Sequence, residues 1–168
     1  MLIKRKICMV GAFAVGKTSM VRRFVESIFS EQYLSTVKVT IEKKTIRRGE
    51  DEFVLMLWDM AGEDAFQSLQ MSYLAGAAGY LLVADGTRRA TLEKALELQG
   101  RVQQTIGSTP FVAAINKNDL AADWEVTEEM EQGLRGRGWT VFRTSAKTGE
   151  GVEEAFQALN LAMLGRKP

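Results

Sequence analysis

Gly11-Ala12-Phe13-Ala14-Val15-Gly16-Lys17-Thr18 is the stretch that decides how this chain folds. It follows an apolar, β-branched run at residues 3–10 and opens a helix-periodic stretch at about 17–27, the setting that the pattern G-x-x-x-x-G-K-[ST] requires. Its glycines let the backbone curl tightly, so that successive N–H groups converge on phosphate oxygens at the positive end of a helix. Lys17 can bridge β- and γ-phosphates, and the Thr18 hydroxyl can ligate Mg²⁺. Gly11, Ala14, Val15, Gly16, Lys17, Thr18 and Ser19 are the expected contacts of this loop. A glycine turn with a chance Lys-Thr is the alternative; the strand before it and the helix after it argue against that.

Outward from this loop, short apolar strands alternate with longer helix-periodic stretches. Residues 37–47 and 52–58 read as strands joined in a hairpin at Arg48-Gly49-Glu50-Asp51. In the second, Phe53, Leu55 and Leu57 alternate with Val54, Met56 and Trp58, which predicts a strand covered on both faces. Residues 80–85 and 111–115 read as buried parallel strands, with a helix between them through about 106. A helix at 127–135, a strand at 139–143 and a helix at 151–164 follow. Such alternation predicts an α/β fold, an open and mostly parallel sheet with helices on both faces. No linker or repeat divides the 168 residues, so residues 1–168 are expected to form one domain.

Composition removes several chemistries. There is no histidine, which excludes Ser–His and Cys–His catalysis, and a single cysteine, Cys8, which excludes an internal disulfide or a multi-Cys zinc site. Cys8 sits in an apolar run and reads as a small core residue. Lys plus Arg (22) nearly balances Asp plus Glu (21), so nucleic acid is not an expected partner. No apolar run reaches the ~20 residues of a membrane span, and the expectation is a cytoplasmic monomer. Neither Met1-Leu2 nor Gly165-Arg166-Lys167-Pro168 offers a site for a direct lipid anchor.

Three further motifs fall at strand ends. Trp58-Asp59-Met60-Ala61-Gly62 follows an apolar strand, so Asp59 can hold Mg²⁺ through a water and the Gly62 N–H can approach a γ-phosphate. Alone, Asp-x-x-Gly would be read as an ordinary turn; downstream of the phosphate loop it reads as a metal and γ-phosphate sensor. Asn116-Lys117-Asn118-Asp119 follows the 111–115 strand. The Asp119 carboxylate can accept from both N1–H and the 2-amino group of guanine, whereas adenine would leave it unpaired. Lys117 can lay its stem along the base, and Ser145-Ala146-Lys147 can present the Ala146 N–H to guanine O6. Each is a plausible surface loop by itself; together, in order, they specify guanine.

These motifs resemble the Ras superfamily of small GTPases over about residues 3–164, most closely its Rab-like branch. Tyr33-Leu34-Ser35-Thr36-Val37 is similar to a Rab switch I, and Ser72-Tyr73-Leu74-Ala75-Gly76-Ala77 to the segment after switch II. The resemblance implies a P-loop G domain of six strands, with one antiparallel edge strand from the 37–47 segment. It implies GTP and GDP as substrate and product, Mg²⁺ held by Thr18, Thr36 and Asp59, and an effector, exchange factor and GTPase-activating protein as partners. Phe29 would pack on the guanine edge and Tyr33 over the phosphates. Ile41, Trp58 and Tyr73 would form an effector-reading triad, although core packing explains them equally well. The missing lipidation cysteine points to a prokaryotic member or a shortened eukaryotic one.

Two residues depart from the pattern. Glu63 stands where a glutamine orients the attacking water, and Phe13 where a small residue usually leaves room for an incoming arginine. Neither switch segment supplies an arginine of its own. The expectation is slow GTP hydrolysis assisted by Lys17, with Glu63 as a weak catalytic candidate, in a nucleotide-dependent switch. The rival is a pseudo-GTPase that binds guanine nucleotide without turnover; an ATP-using P-loop enzyme is disfavoured by Asp119.

Overall fold

Ile7, Cys8, Met9 and Val10 are all fully buried, as a strand covered on both sides must be, because successive side chains point to opposite faces. The computed structural model describes residues 1–27, 39–60 and 71–165. The elements run β1 (Leu2–Gly11), α1 (Lys17–Glu26), β2 (Thr40–Arg48), β3 (Asp51–Asp59), α2 (Met71–Leu74), β4 (Gly79–Asp85) and α3 (Arg89–Ile106). Then come β5 (Phe111–Asn116), a 3₁₀ helix (Asn118–Asp123), α4 (Glu128–Gly136), β6 (Val141–Arg143) and α5 (Val152–Leu164).

The six strands form one sheet in the order β2-β3-β1-β4-β5-β6. β2 pairs antiparallel with β3, from Thr40 opposite Asp59 to Arg48 opposite Asp51, and the other pairings are parallel. The hairpin turns through Gly49 and Glu50, with Gly49 at φ 63°, a conformation that a Cβ disfavours. The expected six-stranded, mostly parallel sheet with an antiparallel edge is therefore present.

Two cores flank the sheet. On one face Met9, Leu55, Leu57, Leu81 and Val83 meet Met20 and Phe24 of α1 and Phe156, Leu159 and Met163 of α5. Phe24 and Phe156 stack with centroids 4.1 Å apart, an arrangement that adds about 0.5–1.5 kcal/mol to their burial. On the other face Cys8, Val10, Leu82 and Ala84 meet Leu92, Ala95, Leu98 and Val102 of α3 and Leu134 of α4. Burial pushes the Cys8 thiol up to about 12, against the pull of Lys6, so it is an inert core group.

One expectation needs correction. Of the two apolar faces of β3, only that of Phe53, Leu55 and Leu57 is buried, while Val54, Met56 and Trp58 are half-buried. α3 packs mainly on β4 and β1, so among the described residues this end of the second face has less cover. Lys6 partly fills the gap, its Nζ 3.8 Å from the Trp58 ring centroid.

Chain direction reverses its progress across the sheet at β1, which lies between β3 and β4. Such a switch point opens a crevice at the carboxyl ends of the strands. The loops after β1, β3, β5 and β6, which carry the four motifs, all leave from those ends.

Candidate nucleotide-binding site

The phosphate loop is shaped by backbone constraints that only particular residues meet. Gly16, the N-cap of α1, has φ 98°, and a Cβ there would lie 2.3 Å from Asn116 Nδ2. A Cβ on Gly11 would lie 2.5 Å from the Val83 carbonyl oxygen. The first turn of α1 holds no acidic side chain of its own, and none among the described residues caps Gly16 by a side-chain hydrogen bond, so its positive end faces the loop. Lys17 is 5% exposed, and its Nζ donates to the carbonyls of Gly11 (3.2 Å) and Ala12 (3.1 Å). Burial lowers its pKa to about 8, with Asp59 opposing the shift. An ammonium taken out of water in this way is suited to a polyanion brought into the loop.

The Thr18 hydroxyl donates to the buried carboxylate of Asp59, joining the start of α1 to the end of β3. A hydroxyl beside a carboxylate is a hard oxygen pair, and it fits Mg²⁺, which takes few protein ligands and fills its octahedron with water and phosphate oxygens.

The base end is tied to the phosphate end through Asn116. Its Nδ2 donates to the Val15 carbonyl (3.0 Å), and its Oδ1 accepts from Thr144 Oγ1 (3.1 Å) and the Ala146 N–H (3.3 Å). Lys117, at φ 74°, donates to the Ala14 carbonyl (3.1 Å) and pairs with Asp85 (3.0 Å). Asp119 is exposed in the first turn of the 3₁₀ helix, and Ser145 Oγ donates to its Oδ1 at 2.7 Å. That bond leaves acceptor capacity on the carboxylate while fixing its direction. Lys147 closes the loop after β6, where Gly151 (φ 72°) lets the backbone return close to the Arg143 carbonyl.

Two tethers escaped the reading of motifs. Arg23 on α1 donates from Nε to the Ala146 carbonyl (2.8 Å) and from its guanidinium to the Lys147 carbonyl, binding the base loop to the phosphate-loop helix. Arg88, just before α3, reaches back to the phosphate loop itself. Neither has a local pattern, because the partners lie 123–124 and 74–75 residues away.

The structure thus brings the Gly11–Thr18 loop, the Thr18–Asp59 oxygen pair and the loops that carry Asp119 and Ala146 together at one end of one sheet. Comparison of the sequence with known proteins finds a match to the Ras family over residues 6–164. This chain is a member of the Ras family of small GTPases. It is 34% identical over 166 residues to the human Ras-related protein Rab-7b, covering 96% of this chain and 83% of that protein. To Rab-13 of Mesocricetus auratus it is 31% identical over 156 residues, covering 92% and 77%. To RABA6b of Arabidopsis thaliana it is 36% identical over 166 residues, covering 96% and 69%. Within the family, then, the GTPase is Rab-like.

Of the residues expected to serve this GTPase, Phe29, Tyr33, Thr36, Gly62 and Glu63 lie outside the described residues. The three read as an effector surface are placed differently from one another. Ile41 is 44% exposed on β2, opposite Trp58 on β3. Tyr73 is 4% exposed, its hydroxyl within reach of the Met9 (2.9 Å) and Trp58 (2.6 Å) carbonyls. Its ring meets Trp58 edge-on at 6.4 Å, so Tyr73 supports Trp58 from inside the core. Phe13, by contrast, is 45% exposed at the tip of the phosphate loop. Among the described residues, no helix is long and apolar enough to cross a membrane.

Asp85 gives the GTPase a pH signature. Burial would raise its pKa, but hydrogen bonds from Thr87, Arg88 and Lys117 outweigh burial and hold it below the ordinary 3.8. A depressed carboxyl stabilises the fold fully above its unfolded value and loses that contribution as pH falls through the folded one. Asp85→Asn, which loses charge-assisted hydrogen bonds, should cost about 1–3 kcal/mol at pH 7, and the gap to wild type should close on acidification below about pH 4. Urea unfolding at stepped pH measures it; a gap unchanged down to pH 3 would contradict this reading.

Proposed function

We propose that this small GTPase binds GTP and GDP with Mg²⁺, hydrolyses GTP slowly, and acts as a two-state switch read by partner proteins. The observation that carries the reading is the Asn116 bridge. It holds the base loop at Ala146 and the phosphate loop at Val15 with a single buried amide, the arrangement that one ligand spanning both loops would need. Guanine would be taken by Asp119, Ala146 and Lys117, and the phosphates by the loop N–H groups and Lys17. Mg²⁺ would be held by Thr18, by Asp59 through a water and, with GTP, by Thr36. When bound, the ion neutralises charge on the β- and γ-phosphate oxygens.

Hydrolysis is an in-line attack of water on the γ-phosphorus, with charge taken up by Lys17 and the loop N–H groups. Loss of the γ-phosphate would release Thr36 and Gly62 and relax the segments around 29–42 and 60–75. Phe29 and Tyr33 would cover base and phosphates, and Ile41 and Trp58 would belong to the surface that an effector reads. Exchange and activating proteins would set the timing.

Glu63 can accept a hydrogen bond from water but, ionised, cannot donate one to the transferring phosphoryl group. Single-turnover hydrolysis by the isolated chain should therefore run at about 10⁻⁴ to 10⁻³ s⁻¹, and Glu63→Ala should change it by less than about tenfold. Hydrolysis faster than about 1 s⁻¹ would refute the slow rate, and a loss of about a hundredfold or more in that variant would make Glu63 a true catalytic residue.

The exposed Phe13, standing where an incoming arginine would reach, supports a second reading: a pseudo-GTPase. Overnight incubation with GTP separates the two, since the switch consumes it and the pseudo-GTPase retains it.

A further inference from the structure

Asp85 ends β4 with its carboxylate 1% exposed and four donors around it. Oδ1 accepts from the Thr87 N–H (2.9 Å) and the Thr87 hydroxyl (2.7 Å), while Oδ2 accepts from Arg88 Nε (2.9 Å) and Lys117 Nζ (3.0 Å). Arg88 does not stop there. Its Nη2 donates to the carbonyls of Phe13 (3.1 Å) and Ala14 (2.8 Å). One planar guanidinium therefore connects a buried carboxylate at the end of β4 to the tip of the phosphate loop.

What this grips matters. Ala14 adopts φ 58°, a left-handed conformation that costs a residue with a Cβ about 1–2 kcal/mol. Its carbonyl is held by Arg88 and Lys117 together, and both cations converge on Asp85. In a planar trans peptide the C=O and the following N–H point in opposite directions. Fixing the Phe13 and Ala14 carbonyls toward Arg88 consequently turns the N–H groups of Ala14 and Val15 to the opposite side of the loop. Those are two of the donors assigned above to the phosphates.

We propose that Arg88 is a positioning residue for nucleotide retention: anchored on Asp85, it braces the Phe13–Ala14 backbone so that the loop N–H groups stay aimed at the phosphates. This rests on the reading of the loop as a guanine-nucleotide site and adds to it the element that sets how slowly nucleotide leaves. The guanidinium fork is essential, since its Nε and Nη2 engage partners on two different segments in one fixed plane. A lysine keeps the charge but has a single nitrogen, which cannot hold Asp85 and both carbonyls in that geometry.

Release of mant-GDP and mant-GTP, chased with excess unlabelled nucleotide in stopped flow, tests this on the full chain. Arg88→Ala and Arg88→Lys should both release either nucleotide about tenfold faster than wild type, the scale of losing charge-assisted hydrogen bonds. Association rates should stay at the wild-type values, and the thermal midpoints of the nucleotide-stripped proteins should fall by no more than about 5 °C, because Thr87 and Lys117 still pair the Asp85 carboxylate. Arg89→Ala, which removes an exposed neighbour paired with Glu93, should behave as wild type. Unchanged release in Arg88→Ala overturns the proposal. So does wild-type release in Arg88→Lys, which would make charge alone sufficient. A fall in midpoint of more than about 5 °C would assign Arg88 to global stability instead. A wild-type chain that captures no mant-GDP, although it folds, overturns the nucleotide reading itself and this proposal with it.

Discussion

Gly16→Ala is expected to lower GDP affinity by more than about a hundredfold, although it adds one methyl group. Two costs combine. At φ 98° the new Cβ imposes about 1–2 kcal/mol of backbone strain, and it would sit 2.3 Å from Asn116 Nδ2. Asn116 cannot yield cheaply, because its amide holds Val15, Thr144 and Ala146 at once; moving it leaves buried polar groups unpaired at about 1–3 kcal/mol each. The damage therefore spreads from the phosphate loop to the base loop. Gly100→Ala is the control: it lies within α3, and a Cβ there meets nothing within 4 Å, so binding should not change. Calorimetry with GDP on the stripped proteins measures both, and an affinity within about tenfold of wild type for Gly16→Ala would refute the bridge.

The second large effect belongs to Asp119→Asn. A carboxylate accepts from both the N1–H and the 2-amino group of guanine; an amide presents one acceptor and one donor, and its NH₂ would face the 2-amino group. Sites built to pair a polar edge reject the mismatched partner by about 10⁴–10⁵, and a loss of GDP affinity of at least about 10³ is expected here. The same amide matches xanthine, which carries a carbonyl at position 2, so preference should invert toward XDP. Ser145 Oγ, now 2.7 Å from Oδ1, can keep the side chain in place after the change, which makes this a test of pairing more than of folding. Equal GDP-to-XDP ratios in variant and wild type would show that Asp119 does not read the base.

Much of this architecture was legible from residue order because its signals are local. The glycines and Lys17-Thr18 of the phosphate loop stand within eight residues. β1, β4 and β5 announce themselves as apolar runs, and their observed bounds exceed the expected ones by only a residue or so at either end. Asp59 and Asp119 lie where residue order puts them, at the end of β3 and just after β5. What the sequence hid is non-local or depends on cover. The half-open face of β3 reflects where α3 packs, and no alternation of apolar residues encodes that. The 3₁₀ helix at Asn118–Asp123 begins at a left-handed Lys117, a conformation with no residue signature outside glycine and asparagine. Asn116 reads from sequence as one member of a motif, yet its structural part is to join loops 101 residues apart. Arg23 and Arg88 were invisible for the same reason.

The central claim, that one ligand is held jointly by the loop at Gly16-Lys17 and the carboxylate at Asp119, is tested most directly by calorimetry. Nucleotide-stripped protein is titrated with GDP, GTP and ATP in the presence of Mg²⁺. The expected result is dissociation constants below about 1 μM for both guanine nucleotides, with ATP at least about a thousandfold weaker. Equal affinity for ATP and GTP, or heat from neither, would contradict it.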